Sequence, residues 1–171
     1  GTGFLAETTV GWEEAARRAA PEGVRLVLLR TGIVLGEGGG ALSKMLLPFR
    51  LGVGGPLGSG RQWMPWIHRG DLLSLLVAAL ADSRFEGPVN AVAPFPVTMR
   101  EFAATLGRVL HRPALLPAPA FAIRAAMGEM ASLVLDGQKV LPGKASALGF
   151  RFRFERLEAA LGDLLGRPGA G

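Results

Sequence analysis

Cysteine and tyrosine are both missing from this 171-residue chain. Without cysteine there can be no disulfide, no thiolate metal ligand and no thiol nucleophile. Without tyrosine there is no phenol to act as an acid or base. Histidine is scarce: His68 and His111 lie far apart, so no ligand cluster and no metal site are expected. Charge is mixed rather than blocked. The 19 Lys and Arg exceed the 14 Asp and Glu for a net +5, but no run of like charges occurs, which argues against a nucleic-acid surface. No stretch approaches the roughly 18 unbroken apolar residues of a membrane span, and no signal-peptide pattern opens the chain. These absences lead to the expectation of a cytoplasmic protein with neither membrane nor nucleic-acid partners. What is abundant is apolar side chain, at 49%, and glycine, at 25 residues, enough for one real core broken by tight connections.

Helix and strand signals alternate as in an α/β fold. Residues 4–20 read as a helix with Trp12 on its apolar side, Glu13, Glu14, Arg17 and Arg18 outside, and Pro21 just past its end. The run 24–30 is apolar almost throughout, as strands buried on both faces are. Glycines 36 and 38–40 lead to a helix near 41–49, and GVGGPLGSGRQWMPW is too glycine-rich for regular structure. Asp71 is expected to cap a strongly apolar helix over 72–81, and 88–93 reads as a short strand. Thr98 and Glu101 form a capping box for a helix ending near Leu110. After the proline-rich LLPAPAF, a helix is expected over 120–135, a short strand near 138–141, and a helix over 155–165. Between them, Phe150, Phe152 and Phe154 alternate with Arg151 and Arg153, the pattern of a strand with one buried face.

The opening GTGFLAE fits G-x-G-x-x-G/A, in which glycines let the backbone approach a dinucleotide pyrophosphate. That motif needs a strand running into it and a ribose-binding carboxylate about 20 residues on. The next strand-like run ends in Arg30 instead, which leaves open only a role toward a 2′-phosphate.

Two longer stretches are more specific. LRTGIVLGEGGGALSKMLLPFRLGVGGPLGSGRQWMPWIHRGDLLSLL and GPVNAVAPFPVTMREFAATLGRVLHRPALLPAPAF closely resemble the carboxyl-terminal half of an atypical group of extended short-chain dehydrogenase/reductases, the NAD-dependent epimerase-like proteins. The segment from about 117 to 165 resembles the uncharacterised domain that closes their chains. The resemblance implies an α/β fold: the second half of a Rossmann-type domain, over 1–116 with interleaved substrate-domain segments, and a small, mostly helical terminal domain over 117–171. It implies NAD or NADP as cofactor of a longer parent, with the true glycine loop upstream and GTGFLAE a mid-protein segment. The parent is expected to act on a small molecule, with nucleotide sugars as one candidate class, as an epimerase or oxidoreductase. The alternative is a non-catalytic, NAD(P)-binding regulatory protein.

The resemblance further places Thr31, Gly32 and Ile33 beside the nicotinamide and Arg61, Trp63, Met64 and His68 at the substrate cleft. Each has a structural alternative: Gly32 relieving backbone crowding, His68 held by hydrogen bonds rather than carrying protons, Trp66 packing rather than touching ligand. Glu129 and Asp136 are either a solvated edge or a polar lining of the cleft. Two departures bear on activity. The family's Tyr-x-x-x-Lys positions fall on Phe4 and Thr8, and Met64 stands where epimerases carry an arginine for the nucleotide diphosphate, with Arg61 as its substitute. By itself the chain is expected to be inactive, to bind NAD(P) weakly, and to associate into homo-oligomers through the unpaired edge of the 24–30 strand.

Overall fold

The computed structural model describes residues 4–131 and 135–166. The first glycines of GTGFLAE lie outside them, as does the side chain of Glu129. In chain order the regular elements are α1 Phe4–Ala19, β1 Val27–Thr31, β2 Ile33–Leu35, α2 Gly40–Arg50, β3 Trp63–Met64, β4 Trp66–His68 and α3 Arg69–Ala81. They continue with β5 Gly87–Ala91, β6 Val97–Thr98, α4 Met99–Leu110, α5 Ala120–Met127, a 3-10 turn Gly128–Ala131, α6 Gly143–Ala147 and α7 Leu157–Leu165.

β1 pairs in parallel with β5, from Val27 opposite Gly87 to Thr31 opposite Ala91. One residue later the chain changes partner: β2 pairs in parallel with β4, Ile33 opposite Trp66 and Leu35 opposite His68. Gly32 is the joint. Its N–H donates to Ala91 O at 3.2 Å, while the N–H of Ile33 already donates to Pro65 O at 2.8 Å. β3 and β6 form a short antiparallel pair, Trp63 opposite Thr98. The apolar run expected to be covered on both faces is only half-buried, and Val24 is 58% exposed, because β5 is the one strand that pairs with β1 among the described residues.

α1 is turned differently from the sequence expectation. Trp12 is 73% exposed and Glu13 faces inward. The Glu13 carboxylate accepts from Arg30 Nε and Nη2 at 2.6 and 2.8 Å and from Arg17 Nη2 at 3.0 Å. Drawing Glu13 toward β1 swings its neighbour, about 100° away around the helix, into solvent. Those guanidiniums hold the Glu13 carboxyl below the usual carboxylate range, Arg30 foremost. Arg30, left open toward a 2′-phosphate, pairs here with the Glu13 carboxylate.

α3 corrects a second expectation. Its N-cap is His68, whose Nδ1 accepts from Gly70 N–H at 3.0 Å, and not Asp71. At the other end Arg25 closes the helix, Nη1 donating to Ala79 O and Phe85 O at 2.6 Å and Nη2 to Leu80 O at 3.0 Å. Leu73, Leu76, Val77 and Leu80 leave an exposed apolar stripe along it. The capping box of α4 forms as read: Glu101 N–H donates to Thr98 Oγ1, and the Glu101 carboxylate accepts from Thr98 N–H at 2.7 Å.

The expected strands at 138–141 and over the phenylalanines are absent from the described residues. Phe152 and Phe154 are buried and Arg151 and Arg153 exposed, so the alternation is as read, but no neighbouring strand pairs with this segment. Asp71 takes that place. It is 2% exposed, and its carboxylate accepts from Arg153 N–H and Phe154 N–H, both at 2.9 Å.

One core joins Leu35, Leu42, Phe49, Met64, Trp66, Phe102 and Leu106 to Phe154, Leu157, Leu161 and Leu164. Residues on both sides of position 116 therefore share one interior, each fully buried leucine contributing about 2 kcal/mol. A second cluster, with Ile67, Leu75, Phe85, Val89 and Phe152, lies under α3.

Candidate functional site

The carboxyl ends of parallel strands in an open α/β sheet are where ligands bind, and β1 and β5 both end at the Gly32 joint. Thr31 is exposed there and Ile33 half-buried. Gly32 is forced by crowding: a Cβ on it would sit 2.7 Å from Pro65 O and 2.9 Å from Pro65 C. The structural alternative for this glycine thus holds, whatever else the residue does.

From Pro65 the chain leads back through the glycine-rich loop, fastened by backbone contacts at both sides. Gly58 N–H donates to Ala118 O at 2.8 Å and Ala118 N–H to Pro56 O at 3.0 Å. Met99 N–H and Arg100 N–H donate to Gln62 O and Gly60 O, both at 2.9 Å, so the first amides of α4 are already satisfied. This fastening sets Arg61 on the surface, its own N–H on Ser59 Oγ at 3.2 Å, with Arg100 beside it. Trp63 follows, half-buried, with Lys139 Nζ 4.8 Å from its ring centre. Asp136, on the segment that leads to Lys139, is exposed.

Met64 and His68, expected with Arg61 and Trp63 at a substrate cleft, do not share their surface. Both lie inside, 3% and 4% exposed, as does Trp66 at 1%. Alternation along the short strands is the reason: Trp63 and Met64 point to opposite faces, and Met64 takes the core side. Arg61 is therefore exposed and Trp63 half-buried on the side away from Met64, and Thr31, Gly32 and Ile33 lie together at the strand switch. The sequence gives no signal for Arg100, Lys139 and Asp163, which only the tertiary contacts reveal, and Asp71, expected as a helix cap, serves the 153–154 backbone instead.

His68 is tied on two sides. Its Nδ1 caps α3, its ring lies 3.9 Å from that of Phe154, and Nε2 is 3.5 Å from Asp163 Oδ2 on α7, too long and poorly aligned for a hydrogen bond. Accepting at Nδ1 requires the neutral ring with its proton on Nε2. Burial pushes the imidazole below the usual histidine range; Asp163 and Asp71 pull the other way, and Arg69 and Arg153 add to the lowering. The unfolded chain takes up this proton more readily than the folded one. Stability from neutral His68 is thus full above the unfolded pKa of about 6.5 and declines as the pH falls through that value toward the lower folded one. His68→Asn keeps a capping oxygen without the titration. Urea-unfolding midpoints from pH 7.5 to 5 should fall in the wild type and fall less in the variant; parallel profiles would contradict the assignment.

Among the described residues no group of three or more His, Asp or Glu could hold a metal ion, and no helix is long and apolar enough to cross a membrane. A shallow depression of about 510 Å³ lies between α4 and the segment after it, lined by Arg108, His111, Arg112 and Leu115 and by none of the residues above.

Comparison with known proteins places this geometry. Residues 118–164 match the family model described as a domain of unknown function, DUF1731. The epimerase family protein SDR39U1 of Mus musculus is 50% identical over 163 residues, 95% of this chain and 55% of the mouse protein. The chain belongs to the epimerase-like extended short-chain dehydrogenase/reductases. Among solved structures, the human epimerase family protein SDR39U1 with NADPH is 44% identical, with a TM-score of 0.92 over 97% of this chain and 56% of the human one. The nucleoside-diphosphate sugar epimerase of Corynebacterium glutamicum is 32% identical, with a TM-score of 0.76 over 97% of this chain and 32% of that one. This epimerase-like chain spans about half the length of the curated relatives it matches. Its fold is the Rossmann-type α/β architecture of the group, with β1 and β5 the parallel pair at the strand switch.

Proposed function

We propose that the full-length protein is a cytoplasmic NADP(H)-dependent epimerase or oxidoreductase acting on a small anionic molecule, of the nucleotide-sugar class. The observation that carries this reading is the 44% identity and close superposition with the NADPH-bound human relative across nearly the whole chain. Thr31, Gly32 and Ile33 would hold the nicotinamide end. Residues 31–33 carry no charge, and the N–H groups of Gly32 and Ile33 are spent on Ala91 and Pro65. The Thr31 hydroxyl is the side-chain hydrogen-bonding group of the three. Such a surface fits a neutral carboxamide ring and not a phosphate. When bound, the nicotinamide supplies hydride transfer; the chain's own part is to orient it and keep water out.

Arg61 and Trp63 form the substrate rim, with Met64 and His68 stiffening it from inside. Residues 1–116 supply the cofactor side, and 117–171 close over the rim through Lys139. A second reading, a non-catalytic NAD(P)-binding regulator, draws on one observation: with no tyrosine in the chain, Phe4 and Thr8 stand at the family's acid/base positions, and phenylalanine has no proton to give. Both readings need the cofactor. Saturable NADPH binding by the full-length protein, weakened by blocking Thr31, tests it.

A further inference from the structure

The segment 135–141 runs past Trp63 without regular structure beyond Leu135. Leu135 stands against Gly58, where a Cβ would lie 2.7 Å from Leu135 Cδ2. Gly137 is pressed on the Trp63 backbone, where a Cβ would lie 2.9 Å from Trp63 N and closer still to its carbonyl oxygen. Asn90 Nδ2 donates to Leu141 O at 3.1 Å. Between these points Lys139 lays its ammonium over the Trp63 ring, 4.8 Å from its centre.

Lys139 has no carboxylate within ion-pair distance among the described residues, and neither do Arg61 and Arg100. Glu101, the acid nearest Arg100 in the chain, has its carboxylate committed to the Thr98 cap. Arg100 is adjacent to the loop, its N–H on Gly60 O at 2.9 Å and Nη2 3.5 Å from Ser59 O. Lys139 thus occupies the face of one half-buried indole through a contact that is weak at an exposed site, while Arg61 and Arg100 stand on and against the loop that leads to it.

We propose that Lys139 is a specificity-determining residue of the substrate rim, covering the Trp63 face until a ligand carrying both an anion and a flat ring displaces it, whereupon its ammonium pairs with that anion. The inference rests on reading Arg61 and Trp63 as the substrate rim. A ring alone does not repay displacing the ammonium from the indole, and an anion alone gains no stacking surface. A ligand with both gains the indole and the freed charge together. Because Gly137 and Asn90 anchor the segment on either side, Lys139 can move by side-chain rotation without the backbone leaving Trp63.

The test uses the full-length protein with Trp12→Phe, so that Trp63 is the solvent-accessible indole of this region, and follows tryptophan emission during titration with phenyl phosphate and with inorganic phosphate. Phenyl phosphate should bind at least tenfold tighter than inorganic phosphate. Lys139→Ala should shift Trp63 emission without ligand and weaken phenyl phosphate about tenfold, whereas Lys139→Arg should keep most of the affinity. Arg61→Ala should weaken both anions. If Arg61→Ala weakens binding and Lys139→Ala does not, the role of Lys139 is refuted while the rim stands. If neither substitution changes any affinity, the rim itself is refuted and this inference with it.

Discussion

Asp71→Ala is expected to destabilise the intact protein by about 3–5 kcal/mol, the sum of two lost charge-assisted hydrogen bonds and the cost of leaving their donors dry. The carboxylate is 2% exposed and takes both the Arg153 and Phe154 N–H groups at 2.9 Å, and Phe154 is buried with its ring on His68. Among the described residues no strand replaces those bonds. In a domain of this size the loss corresponds to a fall of about 10 °C in Tm. Asp71→Asn should cost about half as much. Its oxygen keeps one N–H, while its amide meets the other donor to donor. Thermal melting of the three proteins, with the exposed Glu155→Ala as a control near zero, checks this; a small effect for Asp71→Ala would mean the 150–154 segment is held by packing alone.

Gly32→Ala is expected to cost about 3 kcal/mol, the upper end of the usual range for forcing a methyl group into packed surroundings, because backbone must yield. Its Cβ would overlap the Pro65 carbonyl and touch Val92 Cγ1 at 3.0 Å, just where the chain passes from β5 to β4 as pairing partner. Relief requires the two parallel pairs to separate, which also spoils the crevice at their carboxyl ends. Gly162 gives the opposite outcome. It lies inside α7 with nothing within 4 Å of the position a Cβ would take and no left-handed φ, so Gly162→Ala should stabilise by about 0.5–1 kcal/mol. Denaturant unfolding of both variants measures the contrast; equal effects would remove the packing argument.

What is legible in the sequence is whatever is decided locally. The Thr98–Glu101 capping box needs only four residues in register, and it forms as read. The phenylalanine alternation accounts for the burial of Phe152 and Phe154, because period two records which side faces the core. It does not make a strand, because a ladder requires a partner, and Asp71, some eighty residues earlier, supplies the acceptors. Apolar periodicity puts Trp12 on the wrong side of its helix: it is Glu13 that faces Arg30 of β1, and Trp12 is exposed. Of the expected substrate residues, Arg61 is exposed and Trp63 half-buried, whereas Met64 and His68, one and five residues beyond Trp63, turn inward with the strand alternation and the α3 cap. Lys139 is invisible in the sequence because its partner is an indole far away in the chain.

The central claim is that a nicotinamide cofactor sits at the carboxyl end of β1. Titration of the full-length protein with NADPH, followed by nicotinamide fluorescence, tests it most directly. Thr31 is exposed, so Thr31→Trp leaves the fold intact while filling the space beside Gly32. Saturable binding in the micromolar range, near −8 kcal/mol, is expected, with at least a tenfold loss in Thr31→Trp at unchanged Tm. NADPH affinity that is absent in the wild type, or undiminished by Thr31→Trp, would contradict it.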